Sequence, residues 1–132
     1  MGQITELSGE IHRGNRERGF YEDEKNIGEM LALIHSEVSE ALEADRKDHL
    51  ANLDRFFDLE NSINQDHESL SYEDIWKDLF EKAIKNSFED ELADIVIRVF
   101  DLAAFKGIDL EKHIKLKMKY NNMREYKHGK KY

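Results

Sequence analysis

Cysteine and proline are both absent from the 132 residues of this chain, and tryptophan occurs only once. Without cysteine the chain has no disulfide framework, no thiolate metal site and no cysteine nucleophile. The lack of proline, beside 37% charged and 39% hydrophobic residues, indicates amphipathic helices rather than a disordered chain. We therefore expect an all-α protein whose chemistry depends on oxygen and nitrogen side chains.

Positive charge is also scarce, since 20 Lys and Arg stand against 29 Asp and Glu and give a formal net charge of −9. Phosphate contacts along a nucleic acid need a basic face, so nucleic-acid binding is not expected. A small phosphorylated ligand is still compatible, because a bound metal offsets its charge. No apolar run approaches membrane-spanning length and no secretory signal pattern is present. We expect a soluble, cytoplasmic protein without a membrane partner.

The length predicts one domain over residues 1–132, and no repeat or Gly/Ser-rich linker argues for a second one. Between residues 45 and 69 the periodicity weakens, and it predicts a short helix around Leu53 followed by a polar loop. Elsewhere, apolar spacing and end signals predict amphipathic helices. These run from about Ile4 to Gly19, Lys25 to Arg46, Ser71 to Ile84, Ser87 to Gly107 and Leu110 to Glu125.

The second of these helices carries acids where apolar residues are expected. Met30, Ile34 and Ala41 fall at spacings of four and seven, which marks a face that is turned toward a core. Glu37 lies on the same line, and Glu40 is its neighbour one turn on, about 5–6 Å away at the side-chain bases. Two carboxylates on a buried face repel each other and lose hydration. They must therefore be protonated, paired with cations, or bound to a metal ion.

A second acid pair lies in the segment ELADIVIRVFDLAAF, which is apolar on nearly every side and typical of a helix buried within a bundle. Glu91 and Asp94 are three residues apart, Arg98 follows Asp94 by four, and Asp101 follows it by seven. These charged residues share roughly one face of the helix. Because two different helices carry acid pairs within apolar stripes, the pairs are able to face each other.

Spacing alone is a weak signal, since chance gives about six acid pairs at i, i+3 in a chain of this composition. Two interpretations stay open: a divalent metal site, or buried salt bridges to Arg98, Lys117 or Arg124. Burying a charge costs several kcal/mol of lost hydration, which attraction to a partner must offset. Four acids with few nearby cations seldom achieve this, which favours the metal site over the salt bridges. Carboxylates without His or Cys favour Mg²⁺ or Mn²⁺ over Zn²⁺.

Two further groups of residues suit a phosphorylated ligand that carries a planar ring. On the last helix Lys117, Asn121 and Arg124 stand at i, i+4 and i+7, and they are suitable donors for phosphate oxygens. On and after the first helix are four residues with two interpretations. They form an exposed face and aromatics that plug the core, or they line a site for a planar base and its sugar. These residues are His12, Asn15, Phe20 and Tyr21.

The acids and the phosphate donors together resemble the MazG family of all-α nucleoside triphosphate pyrophosphohydrolases, whose signature is an ExxE helix followed by an ExxD helix. The resemblance covers residues 27–46 and 88–132, and more loosely 4–21. The matching motifs are Glu37-Val-Ser-Glu40, Glu91-Leu-Ala-Asp94 and Lys117-Met-Lys-Tyr-Asn121-Asn-Met-Arg124. Two departures are Ser36, where some relatives carry an additional Glu, and an insertion over about residues 45–86.

The resemblance implies an antiparallel four-helix bundle in a homodimer or homotetramer, with Mg²⁺, or Mn²⁺ as a substitute, on the four acids. It further implies cleavage of nucleoside triphosphates, as dNTPs or non-standard NTPs, to monophosphate and pyrophosphate in nucleotide-pool house-cleaning. We expect Glu37 to take the proton of the attacking water. The alternative is a non-catalytic nucleotide-binding or helical interaction protein with its acids in a salt-bridge network.

Overall fold

The computed structural model describes residues 2–63 and 71–124, and every regular element in these ranges is helical. The all-α prediction is therefore confirmed. Within the same ranges, no helix is both long and apolar enough to cross a membrane. The helices are α1 (Gln3–Glu17), α2 (Ile27–Arg46), α3 (Leu53–Ile63), α4 (Tyr72–Ala83), α5 (Phe88–Phe105) and α6 (Leu110–Asn122).

The ends of the helices follow the sequence signals closely. Gly19 and Gly107 have φ of +87° and +68°, which is the left-handed conformation that ends a helix and that glycine adopts most readily. The side chain of Asp109 accepts a hydrogen bond from Lys112 N at 3.1 Å and so caps the first turn of α6. The predicted polar loop at 64–69 lies outside the described residues, whereas α6 ends at Asn122, earlier than the predicted end at about Glu125.

The chain divides into two compact units, and α5 contributes to both. One unit comprises residues 27–96, which hold α2, α3, α4 and the first half of α5. The other comprises residues 1–26 and 97–132, with α1, the second half of α5 and α6. The single domain and the four-helix bundle stay predictions.

In the unit of residues 27–96, α3 packs against α4 through aromatic rings. Phe56 is buried and meets Trp76 edge-on, with ring centroids 5.5 Å apart. Trp76 stacks on Phe80 at 5.5 Å, and its Nε1 donates a hydrogen bond to Glu60 Oε2 at 2.7 Å. Trp76 and Phe80 thus pack on each other within the chain.

In the other unit, α1 packs against α6 and is held at its first turn by a side chain of α6. Glu111 Oε1 accepts hydrogen bonds from Ile4 N at 2.8 Å and Thr5 N at 3.4 Å, which are groups that lack a partner inside the helix. Ser8 Oγ donates to Phe100 O at 2.6 Å. These contacts fix α1 beside the second half of α5 and thereby position His12.

The first turn of α5 is fixed by a buried serine. Ser87 has no exposed surface, and its Oγ accepts a hydrogen bond from Asp90 N at 3.1 Å. In return, Asp90 Oδ2 accepts from Asn86 N at 2.9 Å, so that two otherwise unpaired donors are satisfied. Glu91 N bonds to Ser87 O at 3.0 Å, which places Glu91 in the first turn of the helix.

Ser87→Ala is expected to lower the free energy of unfolding by about 1 kcal/mol, because the variant leaves Asp90 N without its cap. The measurement is the urea midpoint followed by circular dichroism. Ser71→Ala is the comparison variant: Ser71 is exposed and caps α4 in the same way, through Asp74 N at 3.2 Å, so a loss of similar size is expected there. A Ser87→Ala midpoint equal to that of the unaltered protein would contradict the capping role.

Candidate metal centre

Helices α2 and α5 bring carboxylates together from distant parts of the sequence. Glu37, Glu40 and Glu91 each offer one oxygen, and these oxygens all lie within 4.8 Å of one another. A second, overlapping group of the same tightness consists of Asp90, Glu91 and Asp94. Glu91 belongs to both groups and therefore stands at the centre of the acid cluster, which we define as Glu37, Glu40, Glu91 and Asp94.

The acid cluster has a buried side and an exposed side. Glu37 and Glu91 are only 7% and 4% exposed, whereas Asp94 is half-buried and Glu40 is exposed. The expectation that Glu40 shares the buried face of Glu37 is therefore wrong. Three residues along a helix are a rotation of about 300°, so Glu40 is turned about 60° away from Glu37. Glu40 therefore forms the solvent-facing side of the acid cluster.

The electrostatics of the acid cluster show how crowded its carboxylates are. The pKa of Glu91 is raised to about 7, first by burial, then by hydrogen bonds with Glu40 and Glu37, and then by the charges of Glu40 and Asp94. Oε2 of Glu91 is buried and has no hydrogen-bond partner in the described part of the chain. Such an atom loses its hydration without compensation, which is costly unless a proton or a cation binds there.

The acid cluster fits a hard divalent cation better than other metals. Its donors are carboxylate oxygens only, which Mg²⁺ and Mn²⁺ prefer and which are poor ligands for softer ions. The uncompensated Oε2 of Glu91 is a natural ligand atom. An exposed carboxylate beside two buried ones also leaves room for the waters that Mg²⁺ retains.

The predicted phosphate donors lie on and just after α6, around the ring of Tyr120. Since α6 ends at Asn122, the expectation that Arg124 lies on the same helix as Lys117 and Asn121 is wrong. Lys117 Nζ is 5.0 Å from the ring centroid of Tyr120, and Arg124 Cζ is 5.5 Å from it. Asn121 is exposed on α6. Each of the two cationic groups is thus within cation–π distance of this ring. Sequence reasoning missed Tyr120, although its spacing from Lys117 and Arg124 was a usable signal.

Of the four predicted base-contacting residues, two meet at a buried aspartate. His12 Nδ1 lies 2.8 Å from Asp101 Oδ1, and Tyr21 Oη donates to Asp101 Oδ2 at 2.6 Å. The rings of His12 and Tyr21 are in edge contact, with centroids 4.8 Å apart. Asp101, which is 8% exposed, was noted only as a member of the charged face of α5.

The other two predicted residues contact an arginine of the same segment. Asn15 Oδ1 accepts a hydrogen bond from the Arg18 guanidinium, and Arg18 also lies over the ring of Phe20, 5.9 Å from its centroid. Phe20 is exposed, so it does not plug the core. The structure therefore separates Asn15 and Phe20 from the contacts of His12 and Tyr21.

His12 and Tyr21 also line a cavity of about 490 Å³, which we call the histidine cavity. Phe105 completes its aromatic wall, since its ring centroid is 5.0 Å from that of Tyr21. The remaining side chains that line it are charged: Arg16, Asp23, Glu24 and Lys25. Phe105 was not singled out in the sequence.

No protein-family model, no curated protein and no solved structure matches this chain. The class that the fold and site define is an all-helical protein with a carboxylate cluster, and its function is inferred from that chemistry.

Proposed function

We propose that this protein is a Mg²⁺-dependent nucleoside triphosphate pyrophosphohydrolase, with Mn²⁺ as a substitute ion. The observation that supports the proposal is the meeting of Glu37, Glu40 and Glu91 oxygens within 4.8 Å, with a buried Glu91 oxygen that lacks a donor in the described chain. Carboxylate-bound Mg²⁺ in proteins commonly holds substrate phosphates. A phosphorylated substrate therefore suits the acid cluster, and the resemblance to the MazG family favours a nucleoside triphosphate.

The acid cluster would hold the ion, which when bound supplies positive charge for phosphate oxygens and acidifies water. Water attacks phosphorus at the α–β linkage, the bond to the β-phosphate oxygen breaks, and pyrophosphate leaves. Glu37, which is buried, takes the proton of the attacking water. Lys117 and Arg124 stabilise the charge on the phosphates, and Asn121 donates a hydrogen bond to them.

The nucleoside end of the substrate is assigned to the residues of the first helix and the turn that follows it. His12 and Tyr21 contact the base from the wall of the histidine cavity. Asn15 and Phe20 remain predicted contacts for base and sugar. To serve that role, Asn15 must give up its hydrogen bond with Arg18, and Phe20 must give up its cation–π contact with the same residue.

A second copy of the chain is part of the proposal, as a homodimer or a homotetramer. On α2, Leu31, Val38 and Leu42 are each about half exposed at helical spacing, and Leu92 and Val96 are similarly exposed on α5. The prediction that α5 is buried on nearly every side does not hold within one chain. Apolar stripes of this kind are usual at interfaces, and sedimentation of the assayed preparation gives the state of assembly.

The test is a pyrophosphate-release assay, coupled to inorganic pyrophosphatase, on the eight common ribo- and deoxyribonucleoside triphosphates. We expect release that depends on Mg²⁺ or Mn²⁺, with the nucleoside monophosphate as the other product. Nucleotide binding without turnover on every substrate, with or without the ion, would favour the alternative of a non-catalytic nucleotide-binding protein. The same panel reports the preferred base and sugar.

A further inference from the structure

We propose that the histidine cavity selects a heteroaromatic ring that carries an amino group, and that Asp101 sets this selectivity as a positioning residue. The inference rests on the proposed function in one respect only, which is that the ring is taken to be a nucleobase. It concerns side chains of the unit that contains α1 and α6, and it does not involve the acid cluster.

Asp101 determines where two hydrogens point. An ionised carboxylate only accepts hydrogen bonds, so both partners of Asp101 must donate to it. His12 therefore carries a hydrogen on Nδ1, 2.8 Å from Asp101 Oδ1, and in the imidazole tautomer with its single hydrogen there, Nε2 is an acceptor. The hydroxyl hydrogen of Tyr21 is likewise donated to Asp101 Oδ2. The phenol oxygen therefore has only its lone pairs to offer to a ligand, as an acceptor.

The hydroxyl of Tyr21 keeps its hydrogen at neutral pH. Burial raises its pKa, and the hydrogen bond to Asp101 and the charge of that carboxylate raise it further. Both polar groups that Asp101 orients are therefore hydrogen-bond acceptors toward a ligand. A matching ligand must present a donor.

The shape and charge of the histidine cavity point to a ring rather than to a simple anion. Its volume of about 490 Å³ lies in the range of small-molecule sites, and Tyr21 and Phe105 provide an aromatic wall. The positive charges of Arg16 and Lys25 are matched in number by the acids of the same lining, Asp23 and Glu24. The lining therefore carries no excess positive charge that would favour an anion. The hydrogen-bonding groups at the edge of the ring determine which ring binds.

Cytosine and adenine carry an exocyclic amino group whose two hydrogens serve both acceptors. Uracil and hypoxanthine present a carbonyl at the same position and a single ring N–H beside it, which serves only one of them. The carbonyl would face the other acceptor with no hydrogen between them, and that pair would stay unpaired. The expected preference for the amino ring is about tenfold in affinity.

Asp101→Asn changes this selectivity in a defined way. The amide of asparagine offers one acceptor and one donor, where aspartate offers two acceptors. Whichever way the amide is turned, either His12 or Tyr21 must accept from it and must turn its own hydrogen outward. The histidine cavity then contains one donor, so the preference for amino rings falls or reverses.

The experiment titrates the full chain by calorimetry, without divalent ions, with two matched pairs of nucleoside monophosphates: CMP and UMP, and AMP and IMP. The expected result is about tenfold tighter binding of CMP and AMP, and a ratio near or below one for Asp101→Asn. Long-range ¹H–¹⁵N NMR spectra are expected to place the hydrogen of His12 on Nδ1. Glu22→Gln, at an exposed acid next to Tyr21 that does not line the histidine cavity, is the control that keeps the preference.

Equal affinity within both pairs, no binding of any monophosphate, or a hydrogen on Nε2 of His12 would each overturn the proposal. If Asp101→Asn does not fold, Tyr21→Phe removes one acceptor while it keeps the ring, and a reduced amino preference is then the expected result. None of these readouts requires hydrolysis. Absence of pyrophosphate release would therefore refute the proposed function without touching this inference.

Discussion

Replacing Glu40 or Asp94 by alanine is expected to reduce Mg²⁺-dependent pyrophosphate release by about a thousandfold. Both side chains offer oxygens to the acid cluster from its more exposed side, and neither is fully buried. Removing one carboxylate weakens the hold on an ion whose charge contributes several kcal/mol to the transition state. The fold is expected to persist, which circular dichroism and the melting temperature check in the same preparations.

Glu43→Ala is the matched control for Glu40→Ala. Glu43 lies on α2 three residues after Glu40 and is also exposed, but its carboxylate pairs with Lys47 at 3.4 Å and with Arg46 at 3.9 Å. An exposed pair of this kind contributes little to stability. If Glu43→Ala keeps full activity and Glu40→Ala loses it, the loss is specific to a carboxylate of the acid cluster and is not a general effect of removing an acid from α2. An active Glu40→Ala or Asp94→Ala enzyme would refute the assignment of ligands.

The helices were readily predicted because their ends depend on local chemistry. Ser71 caps α4 through its own side chain, and Gly107 adopts the positive φ that ends α5. The short helix α3 was also expected, although its neighbours gave only a weak periodic signal. Such features depend on contacts between residues a few positions apart, which a sequence pattern records directly.

Contacts between distant residues were less accessible. Asp101 is 89 residues from His12 in sequence, and no spacing rule connects them, so the aspartate was grouped with the charged face of α5. The same limit applies to α5 itself, whose apolar residues indicate a covered helix but not which chain covers it. Glu40 was predicted to lie on a buried face because the spacing of apolar residues locates the buried side of a helix but not the line where that side ends.

The second large effect is expected on stability, through Glu91. Its pKa in the folded protein is raised from 4.5 to about 7, so the fold binds this proton more tightly than the unfolded chain does. Without a metal ion, the contribution of Glu91 to stability is therefore most favourable below pH 4.5. It declines as the pH rises toward 7 and stays unfavourable above that.

Mg²⁺ is expected to reverse this decline, because it binds the ionised carboxylate and competes with the proton. At a concentration of about 100 times Kd it stabilises the fold by about 2.7 kcal/mol, which raises the melting temperature by about 10 °C for a chain of this size. The increase should be large at pH 8 and small at pH 5.5. Differential scanning calorimetry at both pH values, with and without Mg²⁺, measures it.

Glu91→Gln separates the metal site from the structural alternative. A neutral amide of the same shape carries no charge to repel the neighbouring acids, so the metal-free variant is expected to melt higher than the unaltered protein at pH 8 and to gain little from Mg²⁺. If the acids instead form structural salt bridges, the substitution removes a paired charge and lowers the melting temperature sharply, because the partner cation stays buried. In that case Mg²⁺ leaves the melting temperature of the unaltered protein unchanged at both pH values.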